Sequence, residues 1–133
     1  MDEKEREFRE AIIRNPNDAY AHAQLGSFCC FRLGKASEAK KEYREAIMID
    51  PNNVEILLGF AIALHAMHDG REKPEDREDR LFEEETVLRR AIRVDPTNWD
   101  AHAYLGTTLE EQGRHAEAEE EFRECERLKR KNV

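Results

Sequence analysis

The feature that most constrains this sequence is one motif that recurs around three prolines. An Ala-Ile pair precedes Pro16, Pro51 and Pro96 at the same distance, and each proline lies in a short polar stretch, N-P-N-D, D-P-N-N or D-P-T-N. A fourth copy, which contains Phe122 and Cys125, reaches the end of the 133-residue sequence without a proline. The prolines are 35 and 45 residues apart. Self-similarity at such spacings is typical of repeat architectures.

The polar stretches around the prolines separate runs with helical periodicity. Proline cannot continue a helix, and the Asn or Asp that follows it can cap the next one. Gly34 and Gly113 mark a second break, because glycine readily adopts the left-handed conformation at a helix end. No window shows the strict alternation of a half-buried strand. We therefore predict an all-α chain of about seven helices, near residues 2–14, 18–32, 36–49, 53–67, 78–94, 98–112 and 115–130.

These motifs resemble the tetratricopeptide-repeat (TPR) family, whose 34-residue unit reads W-x2-L-G-x2-Y…A-x3-F…P. The last repeat matches best, with His102 at the Trp position followed by Leu105-Gly106, Ala118 and Phe122. The first full repeat has one extra residue near Gly34. The resemblance implies a single domain over 1–133, an α-solenoid of antiparallel helix pairs in a right-handed superhelix. Its expected parts are a leading half repeat at 2–14 and repeats at 18–50, 53–95 and 98–131.

The middle repeat departs from the family pattern, because an insertion at about 69–84 separates its two helices. The stretch from Asp69 to Glu85 contains nine acidic and four basic residues. It is interpreted in two ways. A mobile loop could lead into an extension of the next helix, with Leu81 and Phe82 packed on the array. Alternatively, the stretch is an acidic contact loop for a basic partner, since inserted loops often carry function.

Composition excludes several classes of function. The chain has 30 acidic and 22 basic residues, a net charge of −8, so we expect neither nucleic acid nor an anionic membrane surface as a partner. No apolar run approaches the length of about 18 residues that spans a membrane. The first residues lack the pattern of a secretory signal. Three cysteines, Cys29, Cys30 and Cys125, are then expected to be reduced, and the expected location is cytoplasmic.

No motif for catalysis, metal binding or a cofactor is evident. His22 and His102 occupy equivalent places in two repeats, so packing between paired helices explains both. No pair of histidines or cysteines has the spacing of a zinc site, and no phosphate-binding or hydrolase motif is present. We therefore expect a protein that is not an enzyme and has no cofactor. A thiol or metal site at Cys29–Cys30 with His65 is the catalytic alternative.

In the family that the chain resembles, the first helices of successive repeats line a concave groove that holds an extended peptide or a partner helix. The resemblance implies such a groove here, with apolar and aromatic side chains that are suited to recognition. Acidic residues at one end, Asp100, Glu110 and Glu111, favour a partner with a basic portion. The predicted groove residues are Tyr20, Gln24, Ser27, Phe31, Leu58, Ile62, His65, Asp100, Tyr104 and Thr107.

The same register argues against one class of ligand. Family members that serve the cytosolic heat-shock chaperones hold the chaperone's C-terminal carboxylates with a clamp of Lys, Asn, Asn, Lys and Arg. The matching positions here are Ala23, Ser27, Gly59, Asp100 and Tyr104. Because none of them matches and Asp100 would repel a carboxylate, we do not expect a chaperone-tail adaptor.

The expected function is therefore that of a non-enzymatic scaffold or adaptor, which binds a peptide or helix of another protein in its groove. The alternative is a packing or oligomerisation module of a larger chain or complex, which uses its end helices and could form a homo-oligomer. The helix at 2–14 motivates this alternative, because Phe8, Ile12 and Ile13 lack the preceding helix that they would meet in a complete repeat.

Overall fold

The computed structural model describes residues 2–68 and 70–132. Within these ranges the chain forms seven α-helices and no strand, as the sequence predicts. A π-helical segment, Cys29–Leu33, extends the second helix. It lies where the first full repeat has its extra residue, and a π turn accommodates an extra residue because its hydrogen bonds span five residues instead of four. The α-helices are α1 (Glu3–Arg14), α2 (Ala19–Phe28), α3 (Ala36–Ile49), α4 (Val54–Ala66), α5 (Pro74–Val94), α6 (Trp99–Glu111) and α7 (His115–Lys131).

The proline-centred stretches end one helix and cap the next, as predicted. Asp18, Asn53 and Asn98 each follow a proline by two residues, and each side chain accepts a hydrogen bond from the backbone N–H three residues later, at 3.1, 3.2 and 3.1 Å. Such a cap typically stabilises a helix by about 1 kcal/mol. Gly34 and Gly113 adopt φ values of 63° and 79°, which is the left-handed conformation that ends a helix.

The helices pack as consecutive pairs that stack on one another. Helix α2 packs against α3, α4 against α5 and α6 against α7, while α2 also contacts α4, and α4 also contacts α6. Helix α1 packs on α2 and completes the array at one end. The arrangement is a helical solenoid. The repeat boundaries at 18–50, 53–95 and 98–131 remain a prediction from the sequence.

One continuous core runs through the stack. Its centre is α4, whose Leu57, Phe60 and Leu64 are buried against Leu88 of α5 and Leu105 of α6, together with many smaller side chains. A second cluster under α1 contains Leu25, Cys29 and Ala39. Phe8 and Ile12 pack against this second cluster, and the Phe8 and Phe28 rings lie 5.7 Å apart, edge to face. Of the three apolar residues of α1, only Ile13 is therefore left exposed, at 78%.

The insertion is helical over most of its length. Helix α5 begins at Pro74, four residues earlier than predicted, with proline in the first turn, where its missing N–H leaves no helical hydrogen bond unmade. Leu81 is buried at 4% exposure, as one of the two interpretations requires. The expectation that Phe82 also packs on the array is wrong, because Phe82 is 69% exposed. Asp69, where the predicted insertion starts, lies outside the described residues.

Two helix pairs meet at glycines, α2 and α3 at Gly26 and α6 and α7 at Gly106, which explains the Leu-Gly element of the repeat. A Cβ atom on Gly26 of α2 would lie 2.9 Å from Cδ2 of Tyr43 and 3.2 Å from the carbonyl oxygen of Ala39, both in α3. Tyr43 cannot move aside easily, because its ring is buried and stacks on Phe60 with the centroids 5.2 Å apart. By contrast, a Cβ on Gly59 would meet the Tyr43 hydroxyl at 3.4 Å, which is an ordinary contact.

We predict that Gly26→Ala lowers the free energy of unfolding by about 1–3 kcal/mol, because the added methyl group overpacks the α2–α3 contact. Gly59→Ala is the matched control, and we expect it to be neutral or stabilising by up to about 1 kcal/mol, since alanine favours helix more than glycine does. Urea denaturation followed by circular dichroism measures both. Equal effects of the two substitutions would contradict this account of the helix contact.

Candidate partner-binding surface

Helices α2, α4 and α6 line up side by side and form one surface of the solenoid, here called the inner face. All ten predicted groove residues lie on these three helices or, for Phe31, on the π-helical segment that follows α2. Each of the ten is exposed or half-buried. The inner face contains two depressions, one on either side of α4.

The first depression, between α2 and α4, has a volume of about 320 Å³. It brings together three predicted residues, Tyr20, Gln24 and Ser27. The Tyr20 ring is 55% exposed and forms one wall. Glu55 is the only charged residue that lines this depression in the described part of the chain. The lining residues are Tyr20, Ala23, Gln24, Ser27, Tyr43, Glu55, Ile56 and Gly59.

The second depression, here called the α4–α6 pocket, is smaller and more enclosed, with a volume of about 240 Å³. It brings together four predicted residues, Ile62, His65, Tyr104 and Thr107. Its apolar walls come from Ala61, Ile62, Leu88 and Tyr104, with the polar side chains at one end. The pocket therefore combines an apolar interior with a polar end, which is the usual composition of a site that binds a side chain of a partner.

Four further lining residues were missed by the sequence analysis: Ala61, Glu84, Leu88 and Thr108. Glu84 and Leu88 belong to α5, the second helix of its pair, whereas the groove was predicted from first helices alone. Their side chains form the floor of the pocket between α4 and α6. Leu88 could have been found from its place in the repeat pattern, but the charge-rich sequence around Glu84 gave no signal that this carboxylate is buried.

Three predicted groove residues do not line either depression. Phe31 is exposed on the π-helical segment, Leu58 is half-buried and packs against the main core, and Asp100 is exposed at the first turn of α6. The acidic end that was predicted from Asp100, Glu110 and Glu111 is also divided. Glu110 pairs with His115 at the α6–α7 turn, while Glu111 faces His65.

The polar end of the α4–α6 pocket rests on a buried ion pair. Glu84 is 2% exposed, and its carboxylate accepts hydrogen bonds from Arg80 Nη1 at 2.5 Å and Thr108 Oγ1 at 3.1 Å. Burial raises the pKa of Glu84 despite the opposing effect of Arg80. Arg80 also donates to Glu72 at 2.8–3.1 Å, and these hydrogen bonds lower the pKa of Glu72. One guanidinium thus fixes the helical extension and the floor of the pocket together.

His65 lies above this ion pair, at the mouth of the pocket. Its Nδ1 atom is 3.8 Å from Glu84 Oε1 and 3.6 Å from Glu111 Oε1, which is too far for a good hydrogen bond to either. Glu111 Oε2 is buried and has no hydrogen-bond partner within residues 2–68 and 70–132. The mouth therefore places the buried Glu84 carboxylate and the partly exposed Glu111 side chain beside a half-exposed imidazole.

His22 and His102 do not belong to a functional site, and the packing role predicted for them is confirmed. His22 Nδ1 lies 2.7 Å from Glu42 Oε2 and its Nε2 lies 2.8 Å from the Pro16 carbonyl oxygen. His102 repeats this geometry with Glu121 and Pro96, at 2.7 and 3.0 Å. Burial opposes protonation of His22, but the hydrogen bonds to Glu42 and Pro16 outweigh it and raise the pKa of His22. Each imidazole ties a proline turn to the second helix of its repeat.

The thiols offer little support for a catalytic cysteine. Burial raises the pKa of Cys29 to about 11, and burial also raises the pKa of Cys30 and Cys125. A thiol with a raised pKa stays protonated near neutral pH and is a poor nucleophile.

In the described ranges, no group of three His, Cys, Asp or Glu side chains is placed to hold a metal ion. Nor is any helix there both long and apolar enough to cross a membrane.

Comparison with known proteins supports the TPR resemblance. Residues 2–129 match the family model described as the cilia and flagella-associated protein 70 middle TPR-like domain. No curated protein sequence matches the chain significantly.

Solved structures with the same fold include two classes of protein. The second TPR of Spaghetti (RPAP3), bound to the HSP90 peptide SRMEEVD, superposes with a TM-score of 0.66 at 25% identity, over 95% of this chain and 98% of that one. A crystal structure of MamA gives a TM-score of 0.76 at 19% identity, over 94% of this chain and 62% of that one. MamA MSR-1 gives 0.72 at 18% identity, over 95% and 66%. The chain thus spans less than two thirds of these MamA chains.

We predict that Arg80→Met lowers the free energy of unfolding by about 3–5 kcal/mol, because it leaves Glu84 buried without its cation. The double variant Arg80→Met/Glu84→Met should regain most of this loss, since an apolar pair of similar volume replaces the ion pair. Urea denaturation followed by circular dichroism measures both. A double variant no more stable than the single one would contradict the proposed pairing.

Proposed function

This chain belongs to the cilia and flagella-associated protein 70 middle TPR-like domain family, and we propose that it is a non-enzymatic scaffold or adaptor that holds a peptide or helix of a partner protein on its inner face. The observation that carries the proposal is the α4–α6 pocket, an apolar depression with a polar end on the exposed side of the first helices. The second TPR of RPAP3, which is 25% identical, holds a peptide of HSP90. That precedent supports protein–protein interaction as the function.

The proposed affinity comes mainly from an apolar anchor of the partner. Ile62 and Tyr104 are 36% and 40% exposed, and with Leu88 they present apolar surface that a partner side chain can cover. Complete burial of a leucine-sized side chain contributes about 1.5–3 kcal/mol. Tyr20, on the neighbouring depression, adds an aromatic surface with a polar hydroxyl, a residue type that is enriched in binding hot spots.

The proposed partner carries a basic residue next to this anchor. Glu84 and Glu111 make the polar end of the site acidic, and the Glu111 side chain is 25% exposed there. A lysine or arginine of the partner would pair with the exposed part of Glu111 and meet the chain's excess of negative charge. The basic portion expected from the sequence is thus assigned to Glu84 and Glu111 rather than to Asp100 and Glu110.

We also propose that chaperone tails are not the ligands. The positions that match the carboxylate clamp carry Ala23, Ser27 and Gly59 in the α2–α4 depression, with Asp100 and Tyr104 on α6. None of these side chains is cationic. An acidic peptide such as SRMEEVD would therefore meet no clamp and would be repelled by the net charge of −8.

The proposed location is the cytoplasm. The proposal rests on the three free cysteines, because free thiols are the rule in reducing compartments. The family description adds cilia and flagella as the structures in which to look for the partner.

We expect that the double variant Ile62→Ser/Tyr104→Ala loses a partner that the native chain captures from a cell lysate. Both side chains are partly exposed, so the variant should remain folded while losing its apolar anchor site. Met48→Ser, on a side chain that is 78% exposed on α3, is the control and should keep the partner. The partner is identified by mass spectrometry, and its affinity for each variant is then measured with the purified protein. The SRMEEVD peptide should bind none of them. If the double variant retained every partner, the interface would lie outside the α4–α6 pocket.

The alternative function, packing through an end helix, is favoured by the exposure of Ile13 on α1. If this surface associates, sedimentation equilibrium should show dimers of the native chain that increase with concentration, and Ile13→Glu should be monomeric. Met48→Glu is a matched control, because Met48 is equally exposed on another helix. A native chain that stays monomeric throughout would exclude self-association through α1.

A further inference from the structure

The extended first half of α5 forms one wall of a second groove, here called the α5 groove. Pro74, Arg77, Leu81 and Glu85 lie at helical spacing on the face that borders it, and the α6–α7 turn forms the opposite wall. Its volume is about 770 Å³, and none of its lining residues lines either depression of the inner face. The complete lining is Pro74, Arg77, Glu78, Asp79, Leu81, Phe82, Glu85, Glu111, Gln112 and Arg114.

The two walls of the α5 groove are tied together. Arg77 Nη2 donates to the Glu111 carbonyl oxygen at 3.4 Å. On the other side, Glu85 Oε1 accepts hydrogen bonds from Arg114 Nη1 at 2.8 Å and from Gln112 Nε2 at 3.2 Å. The groove is therefore formed before any ligand arrives, which reduces the entropy that binding would have to overcome.

Phe82 is the apolar feature of this groove. It is 69% exposed, while its neighbour Leu81 is buried. The fold does not use the Phe82 ring, so the chain leaves a large aromatic surface in water beside a preformed groove. Partly exposed aromatic side chains of this kind are typical anchors of protein interfaces.

The charge that is left free in the α5 groove is negative. Both of its bases are already engaged, since Arg77 bonds the Glu111 carbonyl group and Arg114 bridges Glu85 and Glu117. Glu78 and Asp79 are exposed, and their side chains make no hydrogen bond or ion pair in the described part of the chain. They lie beyond the first turn of α5, so the helix dipole does not explain their presence.

We propose that the α5 groove is a second docking surface, and that its occupant is a basic amphipathic helix of a partner protein. An apolar side chain of this helix packs on Phe82, and its lysine or arginine residues pair with Glu78 and Asp79. From Pro74 to Glu85 the wall is about 16 Å long, at 1.5 Å per residue, which matches about three turns of a partner helix. Glu111 borders both surfaces, but the proposed anchors, Phe82 here and Ile62 and Tyr104 on the inner face, are different residues, so the chain can hold two segments at once.

The test titrates the full chain with a synthetic helical peptide that has leucine along one face and lysine on the others. Phe82→Ala should weaken binding of this peptide by about tenfold, the size of effect expected for an interface anchor. Glu78→Gln/Asp79→Asn should weaken it and reduce its salt dependence. The control Glu120→Gln/Glu126→Gln removes the same charge from exposed positions on α7 and should leave the affinity unchanged. Calorimetry measures affinity, and amide chemical shifts locate the peptide.

Several outcomes would overturn the proposal. Equal weakening by the α7 control would mean general attraction between a basic peptide and an acidic protein. Unchanged affinity of Phe82→Ala, or shifts confined to α2, α4 and α6, would place the peptide outside the α5 groove. Self-association that Phe82→Ala abolishes would make the groove an interface between two copies. Because Phe82, Glu78 and Asp79 are exposed, circular dichroism should show that the variants stay folded, and the two groove variants test the surface separately.

Discussion

The burial of α4 between its neighbours is the interaction on which the rest of this structure depends. Its sequence is apolar on nearly every side, and Leu57, Phe60 and Leu64 are covered only because α2, α3, α5 and α6 all contact this helix. A single pair of helices could not bury such a helix, and stacking of the pairs is what makes a continuous core possible. The same stacking opens the two inner-face depressions, one on each side of α4. The candidate site is therefore a direct consequence of how the core is built.

The features that could be predicted from the sequence are mostly those that short segments determine by themselves, such as helix ends and their caps. The caps at Asp18, Asn53 and Asn98 need only a proline turn and a side chain two residues later, so the helices that follow these caps were predicted correctly. Seven of the ten residues predicted from the repeat register line the two depressions, and their role in binding stays a prediction. The exceptions have tertiary causes. The π-helical segment carries Phe31 away from the depressions, Leu58 turns toward the core, and α6 presents Asp100 outside the pocket.

The insertion is the segment in which burial of the side chains could least be predicted from the sequence. Its charge suggested solvated chain, yet Arg80 is buried, while Phe82, its most hydrophobic residue, is exposed. Composition indicates how many charged residues a segment has, but not which of them form ion pairs in the folded chain. Here one guanidinium is surrounded by Glu72, Glu84 and, at 3.8 Å, Glu111. Only the i, i+4 spacing of Arg80 and Glu84 was a local signal for this network, and the same spacing occurs at many exposed pairs of this chain.

A buried ion pair is a poor way to stabilise a fold, because desolvation of the two charges offsets most of their attraction. Apolar residues at 80 and 84 would hold the extension of α5 nearly as firmly. The arrangement has another physical consequence, since Arg80 and Glu84 are linked through Thr108 to α6 and through Glu72 to the segment before α5. This network ties the first half of α5 to α6 and to the segment before α5, and it thereby positions both the floor of the α4–α6 pocket and the wall that presents Phe82. The network thus couples the positions of two surfaces that meet at Glu111.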